Sequence, residues 1–218
     1  VYKEYSKYDS DYDSEVISNA NDLAKIYSKL DNPKISYNYY LISYSKLKEK
    51  ENKGEDVKSQ YLSVLYLLAE KEINLDLADS AIAHLKESLI INEKSFKDTA
   101  IVIYQNNNKE IYKKLSIAYC IKGDNSEEIY PYQDAEKNII KAIEALESNS
   151  KADDASDSYS MSYLQFLRAQ INYNLEQYLQ AEECYKKSIS LLISLIKEHK
   201  DYVEGDLFKY NIFLGKLY

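Results

Sequence analysis

The run "LSIAYCIKGD", Leu115 to Asp124, read with "YQDAEKNIIKAI", Tyr132 to Ile143, decides how this chain folds. In the first run a Leu-small pair, Leu115-Ser116, precedes Tyr119. In the second, a small residue, Ala135, is followed four positions on by Ile139 and three further on by Ala142. Offsets of four and three put all three residues on one stripe of an α-helix. A small side chain at each end of that stripe lets a second helix come close, and the large one between them fills the groove.

The same two patterns recur along the chain. Leu23-Ala24 precedes Tyr27, Leu68-Ala69 opens a similar segment, Leu167 and Ala169 precede Tyr173, and Leu214-Gly215 precedes Tyr218. The small-large-small stripe returns as Ser36, Tyr40, Ser43; as Ala81, Leu85, Ser88; and as Ala181, Tyr185, Ser188. Positions 23, 68, 115, 168 and 214 stand 45, 47, 53 and 46 residues apart, and removing a seven-residue insertion, "NSEEIYP", brings the third spacing to 46. A constant period means one supersecondary unit used repeatedly.

Composition agrees with a helical build. Four Gly and two Pro in 218 residues are too few for the tight turns of a β-rich or doubly wound α/β fold. The 45% hydrophobic content suffices for a buried core. A net charge of -8 repels polyanions, and the Lys cluster from Lys46 to Lys53 alternates with Glu, so nucleic acid is disfavoured as a partner. No apolar run reaches the length needed to cross a bilayer, so a soluble protein is expected, cytoplasmic by default. The chain opens on Val1 rather than Met, which leaves an upstream signal or lipoprotein segment open.

This pattern resembles the tetratricopeptide repeat, whose first helix carries a Leu-Gly pair and then a Tyr, and whose second carries an Ala, an aromatic residue and an Ala. The resemblance covers the chain from about Val16 onward. It implies an all-α fold: a right-handed α-solenoid of stacked antiparallel helix pairs, with residues 16–218 forming one array of four pairs plus a fifth first helix. Residues 1–15 would be the end of an earlier helix or a flexible arm. The family's period is about 34 residues, so these units need longer helices or longer connections, such as "KEKENKGEDVKSQ", "SFKDTAIVIYQNNN" and "SNSKADDASDS". Gly123-Asp124 would form the turn between two helices, because Gly readily takes the conformation that ends a helix, and the "NSEEIYP" loop is expected to be exposed. The last unit ends at Tyr218 after its first helix, either because the array continues or because that helix caps it.

Chemistry is sparse. Asp9, Asp11 and Asp13 alternate like the start of a calcium loop, but Ser14 and Ala20 replace the Gly and the bidentate Glu that such a loop needs. His84 and His199 are read as surface or boundary residues, and Cys120 and Cys184 as small packing or lining residues. Phosphate-binding Gly loops, Gly-x-Ser-x-Gly and Cys-x-x-Cys are absent from the sequence. Neither an enzyme nor a cofactor or metal site is expected.

Under the resemblance, the opposite face of each first helix looks into a concave groove. From the first unit this face carries Asn21, Lys25 and Lys29; from the second, Tyr66, Glu70 and Asn74; from the third, Lys113, Ile117, Cys120 and Ile121; from the fourth, Tyr163, Phe166, Gln170, Tyr173 and Asn174. The aromatic members are good anchors for a peptide, although Tyr163, Phe166 and Tyr173 could equally pack against neighbouring helices. Asn21 and Lys25 match part of the Lys/Asn clamp by which some relatives hold acidic chaperone tails, but Tyr66, Glu70 and Ile117 stand where the rest is expected. The expected function is a protein- or peptide-binding scaffold, of unknown oligomeric state. The alternative is a ligand- or peptide-sensing regulatory module of a larger signalling protein.

Overall fold

Low Gly and Pro content with apolar residues at helical spacing leads to long helices, and the computed structural model contains eight among its described residues. It describes residues 2–96, 101–126, 128–148 and 155–198, with side chains over 12–94, 108–126, 128–148 and 155–197. The helices are α1 (Tyr2–Lys29), α2 (Pro33–Asn52), α3 (Lys58–Asn74), α4 (Ala78–Phe96), α5 (Ile101–Ser126), α6 (Tyr130–Glu147), α7 (Ala155–Asn174) and α8 (Tyr178–Glu198). No strand occurs among the described residues. The chain is all-α, and each helix within a unit packs on its neighbour in sequence, as in an α-solenoid. Two compact units result, Val1–Asp98 and Thr99–Tyr218.

The long period comes from helix length: the helices run from 17 to 28 residues. Helix α1 runs unbroken from Tyr2, so the Tyr-rich head begins the same helix that carries Leu23-Ala24. Asn125 and Ser126 of "NSEEIYP" extend α5, while Tyr130 and Pro131 open α6, where Pro tolerates its missing N–H. Glu128, Ile129 and Tyr130 are exposed. Leu214-Gly215, Tyr218 and His199 lie outside the described residues.

Three helix-pair turns share one backbone solution without using glycine. Asp31, Asp76 and Glu176 take positive φ, at 54, 58 and 60°. The residue after each donates its N–H back across the turn: Asn32 to the Tyr27 carbonyl (2.9 Å), Leu77 to Glu72 (2.8 Å) and Gln177 to Asn172 (2.8 Å). These are the closing bonds of Schellman-type helix ends. At the third pair, α5 and α6, the expected turn is not a turn. Gly123 lies inside α5 and is buried, and a Cβ there would sit 2.7 Å from ring atoms of Tyr132. Close approach of an aromatic ring from α6, rather than backbone conformation, explains this glycine.

The small residues of the second helices sit at the helix contacts. Ser36, Ser43, Ala81, Ser88, Ala135, Ala142, Ala181 and Ser188 are all fully buried, and the large residues between them, Tyr40, Leu85, Ile139 and Tyr185, are at most 2% exposed. On the first helices Ala24, Leu68, Ala69, Leu115, Ser116, Tyr119 and Ala169 are buried as well. Tyr27 is half-buried and stacks on Tyr39 at 5.7 Å. Leu23 departs from the expected pattern: it is 37% exposed, because it lies on the side of α1 away from α2.

Several serines add hydrogen bonds that alanine cannot. Ser36 Oγ donates to the Ala24 carbonyl (2.8 Å), Ser43 Oγ to Ile17 (3.2 Å) and Ser116 Oγ to Ala135 (2.9 Å). Ser162 and Ser188 donate to each other's carbonyls, at 3.0 and 2.7 Å. Each hydroxyl that a close helix contact buries thereby keeps a partner, which avoids the cost of burying it unpaired.

Around these contacts the cores close within each unit. Ala24, Tyr40 and Leu68 form one cluster, and Ile17, Leu47, Tyr61, Val64, Leu65 and Ile91 another. In the second unit Phe166, Ala169, Ala181, Cys184, Tyr185, Leu192 and Leu195 pack together. Phe166, expected in the groove, belongs here: it is 2% exposed, with its ring edge-on to Tyr185 at 5.8 Å. The reason is angular, since Phe166 precedes Ala169 by three residues and so shares the stripe that faces α8.

Candidate functional site

With the second helices committed to packing, the first helices of each unit present polar and aromatic side chains that the core leaves uncovered. In the second unit α5 and α7 bound a cleft lined by Lys109, Glu110, Lys113, Tyr159, Ser160, Tyr163 and Leu164. Lys113 Nζ lies 5.9 Å from the centre of the Tyr163 ring, within cation-π reach. Glu110 forms ion pairs with Lys113 and, at 3.8 Å, with Lys109. Two ammonium groups thus share one carboxylate, leaving the cleft locally basic in a chain of net charge -8.

Further along α7, Tyr173 is 43% exposed and meets Tyr178 edge-on at 5.6 Å. Asn174 is exposed and Gln170 half-buried. On α5, Ile117, Cys120 and Ile121 are half-buried. Burial, then the Asp124 charge, pushes the Cys120 thiol up to about 12. It is therefore protonated at neutral pH and a poor nucleophile. Burial also raises the Cys184 thiol, toward which Asn172 Nδ2 points at 3.8 Å.

In the first unit a second pocket is lined by Ser28, Asp31, Pro33, Lys71 and Asn74. Lys71 is 6% exposed; its ammonium donates to Ser28 Oγ at 2.7 Å and pairs with Glu70 at 3.2 Å. Of the expected groove residues, Glu70 and Asn74 therefore stand at this pocket, the former through its lysine partner. Tyr66 is half-buried. On α1, Lys25 pairs with Asp22 at 3.3 Å, Lys29 is exposed, and the side-chain carbonyl of Asn21 is buried without a protein partner.

The lining residues missed from sequence follow a simple rule. Lys109 and Tyr159 stand one helical turn before Lys113 and Tyr163, so the expected face was right in direction and a turn too short. Lys71 and Ser28 gave no such signal, since a lysine reads as solvated until its partner is known.

His84 stands at the boundary, as expected, and has a specific partner there. Its Nδ1 is 2.8 Å from Oε2 of Glu72, and Glu72 is fully buried. The imidazole meets the Tyr44 ring edge-on at 5.0 Å. Half-buried at the core boundary, it is the side chain that meets the buried Glu72 carboxylate. Asp13, the third of the alternating acids, pairs with Lys46 at 3.1 Å. Among the described residues no group of three His, Cys, Asp or Glu side chains is gathered to hold a metal ion, and no helix is long and apolar enough to cross a membrane.

The sequence matches no protein-family model and no curated protein.

Proposed function

We infer that the chain is a tetratricopeptide-like, non-enzymatic scaffold that holds an extended peptide or protein segment on the faces of its first helices. One observation carries this reading: Lys113 and Tyr163, placed in one groove by sequence register alone, lie 5.9 Å apart in a cleft between two first helices. A rigid ring beside an ammonium group offers a partner both an apolar platform and a charge at small entropic cost. The cleft supplies contacts, and Cys120, on the same helix as Lys113, is held in its protonated form. Both cysteines are free thiols, which suits the reducing cytoplasm.

Selection of a displayed peptide library on the immobilised chain tests the proposal. Selected peptides should share a motif and lose roughly tenfold or more in affinity on Tyr163→Ala, as expected of an aromatic anchor. Tyr173→Ala should weaken the same peptides while leaving the melting curve nearly unchanged. A library that yields no motif, or peptides indifferent to both variants, would defeat the reading.

A further inference from the structure

Lys71 puts a charge where packing asks for an apolar side chain. In the register that aligns Leu68-Ala69 with Leu115-Ser116 and Arg168-Ala169, its counterparts in the second unit are Ala118 and Ile171, both at most 1% exposed. Lys71 itself is 6% exposed. A lysine this deeply buried is rare unless it is paired, and taking its ammonium out of water is costly. Its one carboxylate partner, Glu70, is itself 36% exposed and offsets that cost only in part. The lysine lines the pocket between the α1–α2 turn and the last turn of α3, so its charge is available to a ligand rather than spent on the fold.

The pocket sets donors beside acceptors. Of the three ammonium protons, one goes to Ser28 Oγ at 2.7 Å and one to Glu70 at 3.2 Å; the third meets no acceptor among the described residues. Because Ser28 Oγ accepts from Lys71, its own O–H remains to donate. The two donors stand 2.7 Å apart, close enough to serve both oxygens of one carboxylate. Asp31 follows in the same turn: its N–H donates to the Ser28 carbonyl at 3.3 Å, and its φ of 54° holds it in the left-handed conformation. The side chains of Asp31 and Asn74 engage no described protein group.

Size and lining narrow the ligand. The cavity measures about 400 Å³, within the range of small-molecule sites. Pro33 is its one apolar residue and no aromatic ring lines it, so it offers no stacking platform for a nucleobase and no wall for a long apolar side chain. A simple anion would meet Asp31 and Glu70, and a simple cation would meet Lys71. A molecule that carries a carboxylate and an ammonium group satisfies both halves with charge-assisted hydrogen bonds. We propose that this pocket binds a free amino acid with a short side chain, its carboxylate on Lys71 and Ser28 and its ammonium on Asp31 and the side-chain carbonyl of Asn74. The site lies within the first unit and is independent of the peptide cleft between α5 and α7.

Calorimetric titration of the full chain with glycine, alanine and serine tests it, with propionate and ethylamine as the two half-ligands. At least one of the amino acids should bind with a Kd of about 1 mM or below, and each half-ligand roughly tenfold or more weakly than that, since it forfeits one set of charge-assisted bonds. Lys71→Met, which supplies the apolar side chain found at this register in the second unit, should weaken the amino acid by roughly tenfold or more. Asp31→Asn should do the same while keeping a residue that tolerates positive φ; Asp31 is exposed, so this variant carries the test even if Lys71→Met fails to fold. No binding of any of the three at millimolar concentration, a half-ligand that binds as tightly as the whole, or binding unchanged by Asp31→Asn overturns the proposal.

Discussion

Replacing His84 by Ala removes the one hydrogen-bond partner of the Glu72 carboxylate among the described residues. The Glu72 carboxylate is fully buried; Oε2 meets His84 Nδ1 at 2.8 Å, and Oε1 has no protein partner. Its field reaches α2, where burial and then the Glu72 charge raise Tyr37. Deleting one member of a buried, hydrogen-bonded pair typically costs about 3–5 kcal/mol, because the other is left desolvated and unpaired. The His84 side chain is 16% exposed, so water can enter the vacated space and the lower end, about 3 kcal/mol, is expected. In urea unfolding this moves the midpoint by roughly 1–3 M. Replacing both residues, Glu72→Met with His84→Leu, should recover most of the loss, since a well-packed apolar pair is often no worse than a buried polar one. A loss below about 0.5 kcal/mol for His84→Ala, the range of ordinary surface substitutions, would refute the reasoning, as would strict additivity in the double-mutant cycle.

Other substitutions read out other contacts. Burial pushes the Tyr185 hydroxyl from 10.0 up to about 12. Because the folded value is the higher one, its contribution to stability is complete below pH 10 and is lost as pH rises toward 12. Unfolding measured from pH 9 to 12 should therefore fall less steeply for Tyr185→Phe than for wild type, by roughly 2–3 kcal/mol over the window, and equal slopes would contradict this. Gly→Ala inside a helix ordinarily gains about 1 kcal/mol. Gly123→Ala should instead lose about 1 kcal/mol in thermal melts, because overpacking against Tyr132 costs roughly 1–3 kcal/mol. Ser188→Ala removes one hydroxyl donor and should cost about 1 kcal/mol; a neutral result would show that the reciprocal bond with Ser162 contributes nothing.

Helix content and the packing stripes were legible in the sequence because helical periodicity and residue size are local quantities. Ala135, Ile139 and Ala142 need no knowledge of what they face to be placed on one side of a helix. Phe166 and Leu23 were misplaced for the complementary reason. Their burial depends on which helix lies alongside, and Leu23 repeats the position of Leu68 without the helix that covers Leu68. The turn at Gly123 was misread because glycine has two uses, positive φ and close approach, and only the position of Tyr132 separates them. The three true turns instead place Asp31, Asp76 and Glu176 in the left-handed conformation, each directly after a Leu. That recurrence was present in the sequence but hidden by the expectation of glycine. The pairing of Glu72 with His84, twelve residues apart across a helix turn, had no signature of its own.

The claim beneath all of this is that side-chain size at the helix contacts sets how closely the pairs can close, and unfolding of Ala181→Leu measured beside Ala83→Leu tests it most directly. Ala181 is fully buried where α8 meets α7, whereas Ala83 is exposed on α4. The expected result is a loss of about 1–3 kcal/mol at position 181 and a change within about 0.5 kcal/mol at position 83. Equal stability of the two variants would contradict it.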